Sequence, residues 1–127
     1  MRAVKPRIEK TRAKAMTEAQ IQKAILAAFH LQRRLAWRLN SGGALISNGE
    51  GKGFRKLQGS PPGTPDIIVH VRGSVFGFLE VKRPGGKLRE AQEEWFEQAK
   101  ADGVLCAVAT SVQEAQSFLA DWLSYVG

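Results

Sequence analysis

The sequence predicts a single α/β domain with a central mixed four-stranded sheet flanked by helices. The chain has 127 residues, of which 43% are hydrophobic, enough for one core but not for two. Helical and strand patterns follow one another in the order helix, strand, long loop, strand, strand, helix, strand, helix. The first three strands should form an antiparallel meander, because a tight turn joins the second to the third. The fourth is reached by crossing over a helix.

The first helix is predicted to begin after Thr17. The run Thr17-Glu18-Ala19-Gln20 fits a capping box, with glutamine three residues after the cap. The helix should extend to about Arg34, because apolar residues recur at helical spacing: Ile21, Ile25, Ala28 and Phe29. Residues 35–40 read as the first strand, which ends at Asn40 and the turn signal that follows it.

Residues 41–65 form a long insertion that holds seven of the 13 glycines. Within it, Ala44–Ser47 and Phe54–Leu57 could pair as a small hairpin. Three basic residues would then lie on the hairpin: Lys52, Arg55 and Lys56. Long loops inside compact domains are usually functional or mobile, so the insertion reads either as a phosphate clamp or as a solvated loop.

The stretch from Gly63 to Lys82 contains two short apolar strands around a tight turn at residues 72–74. If the hairpin centres on Gly73, Asp66 lies directly opposite Glu80, with Cβ atoms ~5 Å apart. Glu80 and Lys82 share a face, since side chains alternate along a strand.

Two carboxylates and a lysine therefore converge at one end of an apolar hairpin. Carboxylates this close repel each other, which raises one pKa unless a cation lies between them. A hard divalent metal binds carboxylate oxygens and would relieve the repulsion, and Lys82 could then orient water or stabilise negative charge. The alternative is an ordinary surface ion pair. The acids interrupt apolar strands, which favours the functional interpretation.

The remaining elements complete the predicted core. A second helix should span Leu88–Asp102 and end at Gly103, with these residues facing inward: Leu88, Ala91, Trp95 and Ala99. A buried strand, 104–109, carries the single cysteine, Cys106, as a buried and reduced thiol. A last helix follows a second capping box, Ser111 to Glu114. Its apolar face reads as core, although Trp122 and Tyr125 could instead belong to a dimer surface.

Three segments together resemble a known family: Gly63-Thr64-Pro65-Asp66, Glu80-Val81-Lys82-Arg83-Pro84, and Gln92. They resemble the virus-type replication-repair nuclease domain (VRR-NUC) of the PD-(D/E)XK nucleases. The resemblance spans about residues 17–123. It implies a restriction-endonuclease-like fold over residues 17–127, preceded by a basic tail over residues 1–16.

The resemblance also implies the site. Asp66, Glu80 and the Val81 carbonyl would bind Mg²⁺ or Mn²⁺, while Lys82 would act on the water or the phosphate. Gln92 would lie near the active centre, and Glu18 on the first helix would supply a further metal ligand. The pattern alone favours a role for Glu18 in complementing the helix dipole, and it is equally compatible with Gln92 as an ordinary exposed polar residue of the helix.

The charge distribution predicts a nucleic-acid partner. The formal net charge is +7, and six of the 19 basic residues fall within residues 1–14. This arm could track phosphates or remain a solvated leader. Arg83 and Lys87 flank the predicted site and could contact phosphates.

The function predicted is a metal-dependent DNA endonuclease selective for branched DNA such as Holliday junctions, acting as a homodimer. The competing class is a non-catalytic nucleic-acid-binding module. A small-molecule enzyme has little support, because neither a nucleophile–base pair nor a nucleotide-binding glycine motif occurs. One cysteine and two scattered histidines, His30 and His70, do not suggest a zinc site.

The expected location is cytoplasmic, because neither a signal peptide nor a membrane-length apolar run occurs. The resemblance is compatible with a phage or bacterial source. RNA in place of DNA stays open.

Overall fold

A computed structural model of the chain describes residues 15–39, 44–57 and 59–127; of residues 44, 45, 56 and 57 it describes only the backbone. The basic segment 1–14, Asn40 and the Lys56 side chain lie outside the described residues. The helices are α1 (Glu18–Leu31), α2 (Glu90–Ala101) and α3 (Val112–Val126). The strands are β1 (Ala36–Arg38), β2 (Ala44–Ser47), β3 (Phe54–Leu57), β4 (Ile67–Arg72), β5 (Val75–Val81) and β6 (Leu105–Ala109).

The main sheet has the predicted mixed, four-stranded architecture. Its order is β1-β4-β5-β6, with β1, β4 and β5 antiparallel and β6 parallel to β5. Neighbouring residues of β5 point to opposite helices, because Gly77 lies against Trp122 of α3 whereas Phe78 packs edge-on against Trp95 of α2. Helices therefore flank the sheet on both faces, as predicted.

The β4–β5 hairpin has the predicted register beside the carboxylates. Ile67 pairs with Leu79, and the alignment holds as far as His70 opposite Phe76. The register shifts before Arg72, which pairs with Val75 and leaves a two-residue turn. The Arg34 guanidinium donates to the carbonyls of His70 and Val71 at 3.3 and 3.0 Å, which stabilises the irregular end of β4. The shift lies far from Asp66, so it does not disturb the opposition of the two acids.

The helix ends differ from the predictions by a few residues. α1 has the predicted capping box, with Gln20 N–H donating to Thr17 Oγ1 and Thr17 N–H donating to Gln20 Oε1. It ends at Leu31 rather than near Arg34, because Arg33 adopts a positive φ of 57° that a helix cannot continue through. α2 ends as predicted, since Gly103 has a φ of 75°.

Two predictions about the core need correction. β6 is an edge strand, so Cys106 is half-buried rather than buried; partial burial still raises the pKa of its thiol. Phe96 is the buried aromatic residue of α2, and Trp95 is only half-buried. Of the two residues considered for a dimer surface, Trp122 belongs to the core and Tyr125 is 84% exposed.

The second predicted capping box is half formed. Glu114 N–H donates to Ser111 Oγ at 3.1 Å, as a cap requires. The Glu114 carboxylate does not return to Ser111 and instead accepts from the N–H and hydroxyl of Thr110. These bonds lower the pKa of Glu114 and fix the turn between β6 and α3.

The insertion contains the predicted small hairpin. β2 and β3 pair antiparallel, from Ala44 opposite Leu57 to Ser47 opposite Phe54, as a separate two-stranded sheet. In the part of the chain that the structure describes, no helix has the length and apolar character needed to cross a membrane.

Candidate active site

Asp66 lies where the insertion rejoins the main sheet. Its backbone carbonyl accepts from Leu39 N–H at 2.7 Å, which ties the end of β1 to the start of β4. Its carboxylate Oδ2 accepts from Val81 N–H at 2.7 Å. The side chain is therefore held across the hairpin, beside Glu80 on β5, as the register predicts.

Glu80 is the most deeply buried acid of the described residues, with only 2% of its surface exposed. Its Oε1 accepts from Gln92 Nε2 at 2.9 Å and lies 3.8 Å from Lys82 Nζ. Its Oε2 is buried and has no hydrogen-bond partner among the described residues. Since an unpaired buried carboxylate oxygen is costly, this atom marks a place for a proton or a cation.

The pKa of Glu80 rises from 4.5 to about 8. Burial of the charged form is the largest cause, and the negative charge of the nearby Asp66 carboxylate is the second. Lys82 lowers the pKa in part, and the charge of Glu18 raises it slightly. Glu18 therefore lies within electrostatic reach of the site.

Lys82 is buried to an unusual degree for a lysine, with 5% of its surface exposed. It directly follows β5, and its N–H donates to the Ala109 carbonyl at 3.1 Å, so β6 holds its backbone in place. Its ammonium group stays close to Glu80 in a largely dehydrated site. There, its charge acts more strongly on neighbouring groups than a surface lysine would.

Gln92 links α2 to the carboxylates. Its Oε1 accepts from Arg89 N–H at 2.9 Å at the start of the helix, while its Nε2 donates to Glu80. With its oxygen engaged by the backbone, the amide can present only its NH₂ group to Glu80, which fixes its orientation. The structure thus gives Gln92 a defined place in the site, beyond that of an exposed polar residue.

Gly63 is a site residue whose role sequence reasoning missed. Its φ is 82°, and a Cβ added there would lie 2.1 Å from the Ala91 carbonyl oxygen and 2.9 Å from Gln92 N. The next residue, Thr64, is buried, and its hydroxyl donates to the Pro61 carbonyl at 2.6 Å. The loop that carries Asp66 therefore packs directly against the helix that carries Gln92. The glycine of the Gly-Thr-Pro-Asp run is the signal for this close approach.

The other predicted site residues lie at different distances from the acid pair and have different exposure. Val81 directly follows Glu80 and binds Asp66 through its N–H. Arg83 and Lys87 are exposed on the loop before α2, and Lys52 and Arg55 are exposed on the β2–β3 hairpin. His30 and His70 have structural bonds instead, to the carbonyls of Ala36 at 2.8 Å and Gly73 at 2.7 Å.

The donor set fits a hard divalent cation. Asp66 and Glu80 offer carboxylate oxygens, one of them without a partner, and such ions are commonly held by one or two carboxylates with water. Across the described ranges, no three His, Cys, Asp or Glu side chains form a ready-made metal cluster. A bound ion would therefore depend on the acid pair, with backbone or water oxygens completing its shell.

Comparison with known proteins identifies the family. The VRR-NUC domain model matches residues 16–113, most of the chain, and the chain belongs to this family of nuclease-type domains. A solved structure described as a VRR_NUC domain is similar in fold, with a TM-score of 0.58 and 21% sequence identity over 83% of this chain and 97% of that one. No curated protein matches the chain significantly. The predicted resemblance and fold are thus confirmed.

The raised pKa of Glu80 predicts that the metal-free protein becomes less stable as pH rises. The folded state keeps the Glu80 proton up to about pH 8, whereas the unfolded chain releases it near its ordinary value of 4.5. The stabilisation is therefore complete below about pH 4.5 and is lost as pH rises toward 8. In EDTA, the melting temperature should fall by several degrees between pH 6 and pH 9.

A Glu80→Gln variant controls this measurement, because its amide cannot titrate. Its melting temperature should change much less over the same pH interval. An equal fall in both proteins would show that Glu80 does not carry the effect.

Proposed function

We propose that this chain is a metal-dependent DNA endonuclease. The observation that supports it best is the convergence of Asp66, Glu80, Lys82 and Gln92, with a buried Glu80 oxygen that lacks a partner. Mg²⁺ or Mn²⁺ would bind at Asp66 and Glu80, aided by the Val81 carbonyl. A metal bound there would lower the pKa of water and stabilise charge on the phosphate.

Each protein group has a separate task in phosphodiester hydrolysis. Val81 N–H holds the Asp66 carboxylate, and Gln92 orients the Glu80 carboxylate, so both acids keep one geometry without substrate. The Lys82 ammonium would position the attacking water or stabilise negative charge as it grows on the phosphate. Arg83 and Lys87, with Lys52, Arg55 and Lys56 of the insertion, would contact the DNA backbone.

Branched DNA such as a Holliday junction is the proposed substrate, cleaved by a homodimer. A two-fold axis would place two active sites on symmetry-related strands of the junction. Sedimentation at micromolar concentration should therefore show a dimer. A purely monomeric protein that still resolves junctions would refute this arrangement.

The direct test uses labelled four-way junction, flap and linear duplex with Mg²⁺, Mn²⁺ or EDTA. We expect nicks only with metal, and most on the junction. Tight binding without cleavage under any metal would favour the non-catalytic binding module instead.

Lys82→Met should lower the cleavage rate by about 10²–10³-fold, because it removes charge stabilisation at the reacting phosphate. Lys87→Met is the matched control, since Lys87 is exposed near the same site and should affect mainly the binding of DNA. Equal rates for the two variants would remove Lys82 from the mechanism.

A further inference from the structure

The β2–β3 hairpin stands apart from the folded core while its two ends return to the active site. Leu39, the last described residue before it, is bonded to the Asp66 carbonyl, and the chain re-enters the sheet at Asp66 itself. No other helix or strand in the described part of the chain packs extensively on the hairpin. An isolated two-stranded hairpin is marginally stable in water. Contact with a partner would stabilise it, and the partner would then lie beside the acids of the proposed active site.

Phe54 is the feature of the hairpin that its own packing does not explain. The side chain is 71% exposed, although it lies within a strand. Its cross-strand partner is Ser47, whose hydroxyl accepts from Gly49 N–H in the turn and which offers the ring no apolar surface. The ring therefore projects from the hairpin into solvent.

The surroundings of Phe54 favour nucleic acid as its partner. Lys52 and Arg55, both exposed, flank it in the chain, and Glu50 is the one acid within residues 41–65. Cations at these positions suit phosphates, whereas an uncharged ring suits the flat face of a base. An aromatic residue between basic residues therefore suits single-stranded nucleic acid, in which bases and phosphates are both accessible.

We propose that Phe54 stacks on an unpaired base of the DNA and so makes the enzyme selective for branched DNA. This inference rests on the proposed nuclease function, and it assigns the substrate preference to a single residue. Bases inside a continuous duplex already stack on their neighbours, so their faces are closed to Phe54. Bases at a fork or flap are open, and the base pairs at the branch point of an unstacked four-way junction expose one face. The hairpin would hold the adjoining phosphates through Lys52 and Arg55.

The test measures binding in EDTA, where the proposed cleavage does not occur. The probes are a linear duplex and a forked duplex with 2-aminopurine at the first unpaired position. Wild type should bind the fork more tightly and quench the 2-aminopurine. Phe54→Ala should weaken fork binding about tenfold, abolish the quench and leave duplex binding within about twofold, because one base–aromatic stack is lost.

Two further variants separate stacking from folding and from charge. Phe54→Trp keeps an aromatic ring and should restore both fork affinity and quench. Arg55→Ala removes a phosphate contact and should weaken fork and duplex binding alike. Unchanged fork binding in Phe54→Ala would overturn the proposal, as would equal losses on fork and duplex.

A dimer-to-monomer change in Phe54→Ala would also overturn the proposal, since the ring would then contact a second copy of the chain. The two proposals can fail separately. Fork selectivity that depends on Phe54 without metal-dependent cleavage would refute only the nuclease. Cleavage with no effect of Phe54 on binding would refute only the stacking.

Discussion

Glu80→Gln is expected to reduce metal-dependent cleavage by at least about a hundredfold while the protein stays folded. The substitution removes the charge that would hold a cation but keeps the size of the side chain. Its carbonyl oxygen can still accept from Gln92 Nε2, and its neutral amide places no second negative charge beside the Asp66 carboxylate. Above pH 8 in EDTA, the variant should therefore melt at a higher temperature than the wild type.

Cleavage and thermal stability should be measured on the same preparation of this variant. A loss of both would indicate that Glu80 supports the fold rather than the chemistry. Retained cleavage in Mg²⁺ would refute the assignment of Glu80 to the metal. Asp66→Asn should likewise lose cleavage, and it also alters the acceptor of the hydrogen bond from Val81 N–H.

Gly63→Ala is expected to destabilise the protein and to impair cleavage, although residue 63 carries no functional group. The new methyl group would lie 2.1 Å from the Ala91 carbonyl oxygen, a backbone atom that cannot rotate away. Either the Asp66 loop or the start of α2 must move, and Gln92 would then lose its alignment with Glu80. Overpacking and strained backbone together suggest a cost of about 2–4 kcal/mol in the free energy of unfolding.

Gly85→Ala is the matched control for this prediction. Gly85 has nearly the same φ, 80°, but an added Cβ there would meet nothing within 4 Å. Gly85→Ala should lower the free energy of unfolding by only about 1 kcal/mol, the cost of placing alanine at a positive φ. Urea denaturation and cleavage assays on both variants compare the two effects. Equal destabilisation by the two alanines would show that the contact with α2 is unimportant.

The sequence predicted the hairpin and its acids because strand alternation and one tight turn determine most of that geometry. The glycine at residue 73 fixed the centre, and the register shift falls on the turn side of His70, away from Asp66. The capping box at Thr17 likewise located the start of α1 correctly, because its signal is local in sequence. These predictions depended on neighbours along the chain or directly across one hairpin.

The sequence could not predict features that depend on tertiary contacts. Lys82 is buried, and its backbone is bonded to β6, which is distant in sequence. Cys106 was predicted to be buried from its apolar neighbours, yet β6 lies at the edge of the sheet. The contact of Gly63 with α2 likewise joins segments whose packing no local pattern reveals.

The most direct test of the account is calorimetric titration of Mn²⁺ into wild type and Glu80→Gln at pH 7.5. Comparing the binding enthalpies in two buffers of different ionisation enthalpy gives the number of protons released. Wild type should bind Mn²⁺ and release protons, because the pKa of Glu80 near 8 keeps it largely protonated until metal displaces the proton. The variant should bind far more weakly and release none. Equal affinity and proton release in the two proteins would contradict a metal site at Asp66 and Glu80.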